Sequence, residues 1–387
     1  MAFLRNRSVN LLNLHYGIHS LALSGGGAFF AVFLLHAGVS APAVLASLAA
    51  ILGGRFLIRP LLLAPAKRSG LKPLVILGTL GTGLQYPLLA EVHGVGWPLL
   101  ILCVTSSVGE TLYWTCYHAY FAALGDSEHR GRQVGVREAV AAVVGIVGPL
   151  ATGWALVTVG PRVAFDLTAG VLVVAALPLL ASPNVAITDN APGGLRVALP
   201  AIAMFAADGW SWSCHGFVWQ IAMFITLGEN FAAFGGAMAL AAFVGAAGGL
   251  VLGRWIDLGH GARAVPVAVG AMAVSVILRA VSYGDPFWAV TVNAACTVVS
   301  AIYLPTMMTA IYNQAKSSPC PLRFHIATEG GYDAGASSGC LIVALVLWAG
   351  APFSAAILLS LVGVGSAFLL LRRYYRGLDA PVAATAT

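Results

Sequence analysis

Apolar residues dominate twelve long stretches of this chain, at 11–36, 40–63, 72–92, 96–123, 134–159, 163–182, 198–226, 231–256, 264–283, 286–313, 327–350 and 352–371, and polar residues collect between them. Each stretch reaches the roughly 20 residues that a helix needs to cross a bilayer. Set against itself at about half its 387-residue length, the chain repeats its punctuation. Gly70 and Lys72 fall on Gly261 and Arg263, Tyr113 on Tyr303, and Glu138 on Glu329. A single half-length repeat in an apolar background predicts two fused copies of a helical membrane unit about a pseudo-two-fold axis, an architecture found mostly among transporters. The least apolar internal stretch, PNVAITDNAPGGLR from Pro183 to Arg196, stands halfway along the chain and reads as a linker. The expected organisation is therefore an N-terminal six-helix bundle over 1–183, a cytoplasmic linker over 184–197 and a C-terminal six-helix bundle over 198–387.

Composition agrees. Hydrophobic residues make up 59% of the chain and charged residues 9%, against about 25% charged in an ordinary soluble domain, and mean hydropathy is +0.88. Lys and Arg gather in alternate loops: Arg5, Arg7, Lys67, Arg68, Lys72, Arg130, Arg132, Arg196, Arg254, Arg263, Lys316, Arg323 and Arg372 share one side, while the other has Arg162 and Arg279. The positive-inside rule then places both termini in the cytoplasm of a multi-pass inner-membrane protein. The net charge of +6 follows from this topology and from anionic lipid headgroups, and implies no nucleic acid. The first stretch resembles a signal peptide, but it is too long and carries Asn13, His15 and His19, so it reads as a span. Six cysteines form no CxxC pair and read as small packing residues. The paired glycines inside spans, such as Gly25-Gly26-Gly27, suit close helix approach.

After the eighth span the sequence reads GRWIDLGHGAR from Gly253 to Arg263, and after the second it reads KRSGLK from Lys67 to Lys72. This resembles the signature loop of the major facilitator superfamily, in which a glycine is followed four residues later by Asp and then by Gly and basic residues. Leu258 stands where a basic residue is usual, one extra residue precedes Gly261, and Ala66 occupies the first-half position of the Asp. Span count, orientation, repeat and linker extend the likeness over the whole chain. It implies an all-α integral membrane fold of twelve helices in two pseudo-symmetric six-helix bundles, acting as a monomer, with Asp257, Gly253 and Arg263 in gating. Gly148-Pro149 and its neighbouring glycines in span five are loosely similar to a glycine-proline motif of antiporter members.

Ionisable side chains inside spans cost about 2.5 to 3.5 kcal/mol at a helix centre on insertion scales, so each asks for a reason. In span eleven His325, Glu329, Asp333 and Ser337 recur every four residues and form one stripe. Span four repeats the pattern with Ser106, Glu110, Trp114 and His118, and span seven places Asp208, Trp212, His215 and Trp219 on an expected common face. Span one adds His15 and His19. Arg55 and Arg59 stand one turn apart in span two, where Arg55 needs an acidic partner and Arg59 is expected to snorkel to headgroups. Arg137 and Glu138 open span five.

These positions predict a proton-coupled secondary transporter that moves a small organic solute by alternating access, with no cofactor and no enzymatic step. Glu110, Asp208, Glu329 and Asp333 are assigned to proton handling. His19, Trp114, His118, Trp212, His215 and Arg137 are assigned to the solute, the tryptophans suiting a flat or cationic molecule. Nine histidines, Met307-Met308 and Cys214 beside His215 leave a metal-ion or metal-chelate importer open, although no ligand cluster has metal spacing. A membrane-embedded enzyme or assembly factor is the reading from another class, and no HExxH, GxSxG or P-loop supports it.

Overall fold

The computed structural model describes residues 6–124, 130–187, 194–256, 261–316, 318 and 321–379, and their regular structure is helical throughout. Twelve spans follow in order: α1 Arg7–His36, α2 Ala41–Ser69, α3 Leu71–Ala90, α4 Trp97–Leu124, α5 Arg130–Thr158, α6 Pro161–Leu180, α7 over 194–226, α8 Phe231–Ile256, α9 Gly261–Ser282, α10 Pro286–Lys316, α11 Pro321–Trp348 and α12 over 353–379. All but α7 are long and apolar enough, each as one helix, to cross a membrane. The exception is divided by a π turn at Ser213–Phe217. Both described chain ends lie on one face, here the terminal face, and the turns at 37–40, 91–96, 159–160, 227–230, 283–285 and 349–352 lie on the opposite one.

Leu57, Leu84, Ile101, Val143, Leu177 and Val281 are exposed on the perimeter, where lipid tails as apolar as leucine receive them without penalty. Trp97 and Trp288 stand exposed in the first turns of α4 and α10, the level at which an aromatic belt forms. The five described cysteines are buried and unpaired with one another.

Without a hydrophobic drive between helices, close backbone approach holds the spans together. α11 presents Gly331, Gly335 and Gly339 to α7, and a Cβ at Gly335 would stand 2.0 Å from the Ala206 carbonyl oxygen. In the first half α3 and α4 meet in the same manner, where a Cβ at Gly109 would lie 2.6 Å from the Gly81 carbonyl carbon. The halves touch along α2 against α11 and along α5 against α8. Near the opposite face Phe29 of α1 meets Phe234 of α8 edge-on at 5.4 Å, and Phe33 stacks on Phe231 at 6.3 Å.

On the terminal face the KRSGLK loop is a clamp. Gly70 turns the chain with φ of 78°, which lets the Leu71 N–H reach the Val185 carbonyl at 2.9 Å. Lys72 Nζ donates to the Leu180 and Ser182 carbonyls at 2.8 Å each. A cation against the free carbonyls at the end of α6 complements the helix dipole. Asn184 Nδ2 donates to the Ser69 carbonyl at 2.7 Å, so the start of the linker is pinned to the α2–α3 turn.

Candidate functional site

The stripe on α11 faces α2, and the two guanidinium groups of α2 meet it. Arg55 Nη1 donates to Glu110 Oε2 of α4 at 2.8 Å, and its Nη2 pairs with Asp333 Oδ1 at 2.9 Å. Arg59 Nε donates to Asp333 Oδ2 at 3.0 Å, Nη2 donates to the same oxygen, and Nη1 donates to Glu329 Oε2 and to Thr115 Oγ1. Ser337, the next residue of the stripe, donates to the Ala49 carbonyl at 2.9 Å. Asp333 and Arg59 have 0% and 1% of their side chains exposed, whereas Glu110, Glu329 and Arg55 keep 24%, 15% and 12%. The network thus has a sealed core and a rim with residual access. Its members come from both halves of the chain.

Three carboxylates face two guanidinium groups, so the fully ionised network carries one surplus negative charge. Burying such a set is tolerated only when every charge keeps a partner. His118 of α4 and His325 of α11 lie within electrostatic reach of Glu329. The snorkelling expected of Arg59 is overturned. Its donors are taken up inside the protein, and the headgroups offer nothing that Asp333, Glu329 and Thr115 do not already supply. Thr115 was not a sequence candidate, because a hydroxyl residue in a span gives no signal of its own.

Beside the network, His19 of α1 lies flat on Tyr113 of α4, with centroids 3.9 Å apart and planes at 9°. Trp114 meets His19 edge-on at 6.0 Å and stacks near His118 at 5.6 Å. His15 Nδ1 donates to the Ala175 carbonyl of α6 at 2.7 Å, which leaves Nε2 to accept from the Tyr113 hydroxyl at 3.2 Å. His19 is buried, and neither of its ring nitrogens has a hydrogen-bond partner. Trp114 and His118 are only half-buried and border the network.

Span seven departs from expectation. A π turn inserts an extra residue per turn and rotates the remainder of the helix by about 100°, so Asp208, Trp212, His215 and Trp219 do not share a face. Asp208 is half-buried against Tyr303 of α10 and Tyr332 of α11, with no cation paired to it among the described residues. Trp212 is exposed. His215 is buried toward α12, where Nδ1 donates to the Ser211 carbonyl at 2.7 Å and lies 3.0 Å from the Ser360 hydroxyl. Trp219 is buried and donates through Nε1 to Asn293 of α10 at 3.0 Å. The half-length repeat reappears in these contacts: Asp208 sits against Tyr303 as His19 sits on Tyr113, each member displaced by close to half the chain.

Asp257 lies outside the described residues. Gly253 and Arg263 fall in the adjoining ends of α8 and α9, and Arg137 in the first turns of α5, where only the backbone is described. Among the described residues no group of His, Cys, Asp and Glu could hold a metal ion.

The sequence profile of the Major Facilitator Superfamily matches residues 12–319. No curated protein matches the chain. Among solved structures, a POT family transporter in complex with 5-aminolevulinic acid superposes with a TM-score of 0.72 at 11% identity, covering 96% of each chain. The POT family transporter PepTSo superposes with a TM-score of 0.69 at 10% identity, covering 97% of this chain and 99% of that one. A POT family transporter in complex with a thioalcohol conjugated peptide gives 0.71 at 11% identity over 94% and 95%. These likenesses establish the twelve-helix fold.

Proposed function

The chain belongs to the major facilitator superfamily and is a membrane transporter of small solutes, and on that premise we propose that protons drive it through the Arg55–Arg59 network by alternating access. The supporting observation is the charge imbalance: three carboxylates on two guanidinium groups, joined across the halves. One proton can enter this set without leaving either arginine unpaired. Glu110 and Glu329, the accessible rim, receive it, and Asp333 couples it to both arginines. Asp208, with its tyrosine partners, is a second proton-handling group.

The halves, 1–183 and 198–387 joined by the linker 184–197, rock about this site. Two closures lie at different depths. The phenylalanine contact is within about 10 Å of the opposite ends of α1 and α8, whereas Arg59 is 18 residues from the start of α2, about 27 Å along it. Opening toward the opposite face unpacks the phenylalanines, and opening toward the terminal face breaks the ion pairs. Asp257, Gly253 and Arg263 would gate the terminal face, which the Lys and Arg bias places in the cytoplasm of an inner-membrane monomer.

The solute is small and organic. A surplus negative charge beside the half-buried Trp114 and His118 suits an amine-bearing or flat cationic molecule, and 5-aminolevulinic acid, held by a protein of the same fold, carries an amine. His19 and Tyr113 back this wall from within. Trp212 and Arg137 remain proposed solute contacts, and His215 would act from behind the wall.

Vesicles containing the purified protein and a pH-sensitive dye test the proposal. Addition of amine solutes should move protons, and Glu110→Gln should abolish the movement while leaving solute binding measurable. Equal proton flux in Glu110→Gln and Glu329→Gln would overturn it.

A further inference from the structure

Arg279 has no role in the network, and its surroundings are unusual. It stands three residues before the end of α9 on the opposite face, yet it does not turn outward. Val274, Ile277, Leu278 and Val281 form the exposed side of the helix, while Arg279 shares the inward side with the buried Ser275, Val276 and Ala280. Its guanidinium carbon is 6.0 Å from the Trp219 ring centroid, and Trp219 is fixed by its bond to Asn293. Nε is buried without a hydrogen-bond partner, and no carboxylate pairs with the group among the described residues.

The nearby titratable groups supply no negative charge. The Cys296 thiol donates to the Ser275 carbonyl at 3.7 Å, and His215 donates through Nδ1 to Ser211. The acids of the network are already engaged by Arg55 and Arg59. A cation inside a span is kept where something pairs with it, and here the protein contributes an aromatic face and a guanidinium with free donors but no anion. In the first half the repeat places Leu88 or Leu89 at the corresponding position, so the arginine is not a requirement of the shared scaffold.

We propose that Arg279 and Trp219 form a site for a small singly charged anion, a halide or a carboxylate group, that enters from the face opposite the chain ends and lodges between α7, α9 and α10. Planar donors of a guanidinium match a carboxylate in a two-pronged fashion and hold a halide equally from two N–H groups. The site is separate from the proton network and does not depend on the transport reading.

The test uses the purified full-length protein in nonionic detergent and halide-free HEPES, with ionic strength held by sodium HEPES. Sodium chloride, sodium bromide and sodium acetate are titrated while the thermal unfolding midpoint is read. The wild type should show a saturable upward shift with at least one of them. Arg279→Met should lose the shift, and it should fold, because it leaves no partner unpaired. Arg279→Lys should keep a shift that saturates at higher concentration. A wild type without a saturable response, an Arg279→Met variant with the same response, or stabilisation by phosphatidylglycerol alone would overturn the proposal.

Discussion

Removing Arg59 should expose how the network is balanced. Arg59→Met leaves Asp333 and Glu329 buried with only Arg55 to offset Glu110 as well, and breaking one side of a buried pair costs about 3–5 kcal/mol. Asp333→Asn is milder. It forfeits charged hydrogen bonds worth about 2 kcal/mol net, but Arg55 keeps Glu110 and Arg59 keeps Glu329. In the double variant the uncompensated charge is smaller than in Arg59→Met alone, so the two costs should fall short of their sum by about 1–3 kcal/mol. Unfolding free energies of the four proteins in mixed detergent micelles measure this cycle. Additivity within about 0.5 kcal/mol would show that Arg59 and Asp333 do not act on each other, and the account of a single balanced network would fail with it.

Other consequences are independent. His19→Phe preserves the stack on Tyr113 and removes two buried nitrogens without partners, so thermal stability should hold or rise; a clear loss would mean that those nitrogens are satisfied. Gly335→Ala should destabilise by roughly 1–3 kcal/mol in the same micelle assay, because its methyl group has no room beside the Ala206 carbonyl. Phe234→Ala should open the aromatic contact at the opposite face and raise labelling of a cysteine introduced at Thr226, whereas unchanged labelling would separate that contact from closure.

The sequence made the fold legible because bilayer length, loop charge and the half-length repeat all act on long runs of residues, where single errors average out. The stripe on α11 was also legible: a regular helix keeps His325, Glu329, Asp333 and Ser337 aligned, and the last three reach α2 as the spacing requires. The same logic failed on α7, since nothing in Ser213–Phe217 announces a π turn that rotates His215 and Trp219 toward α12 and α10. Arg59 was misplaced for another reason. Whether a long side chain snorkels depends on what the facing helix offers, and α11 lies about 270 residues away in sequence. The hydroxyl of Thr115 and the idle nitrogens of His19 are likewise defined by neighbours that only tertiary packing supplies.

The glycine seam between α7 and α11 has a mechanical meaning. With Gly331 and Gly335 pressed against the Ile202 and Ala206 backbones, these two helices lack the side-chain cushion that would let one slide along the other. They form a single stiff lever. Asp208 rides on one shaft and Asp333 on the other, so a tug on the arginines of α2 displaces both acids at once, and neither can report on its surroundings alone.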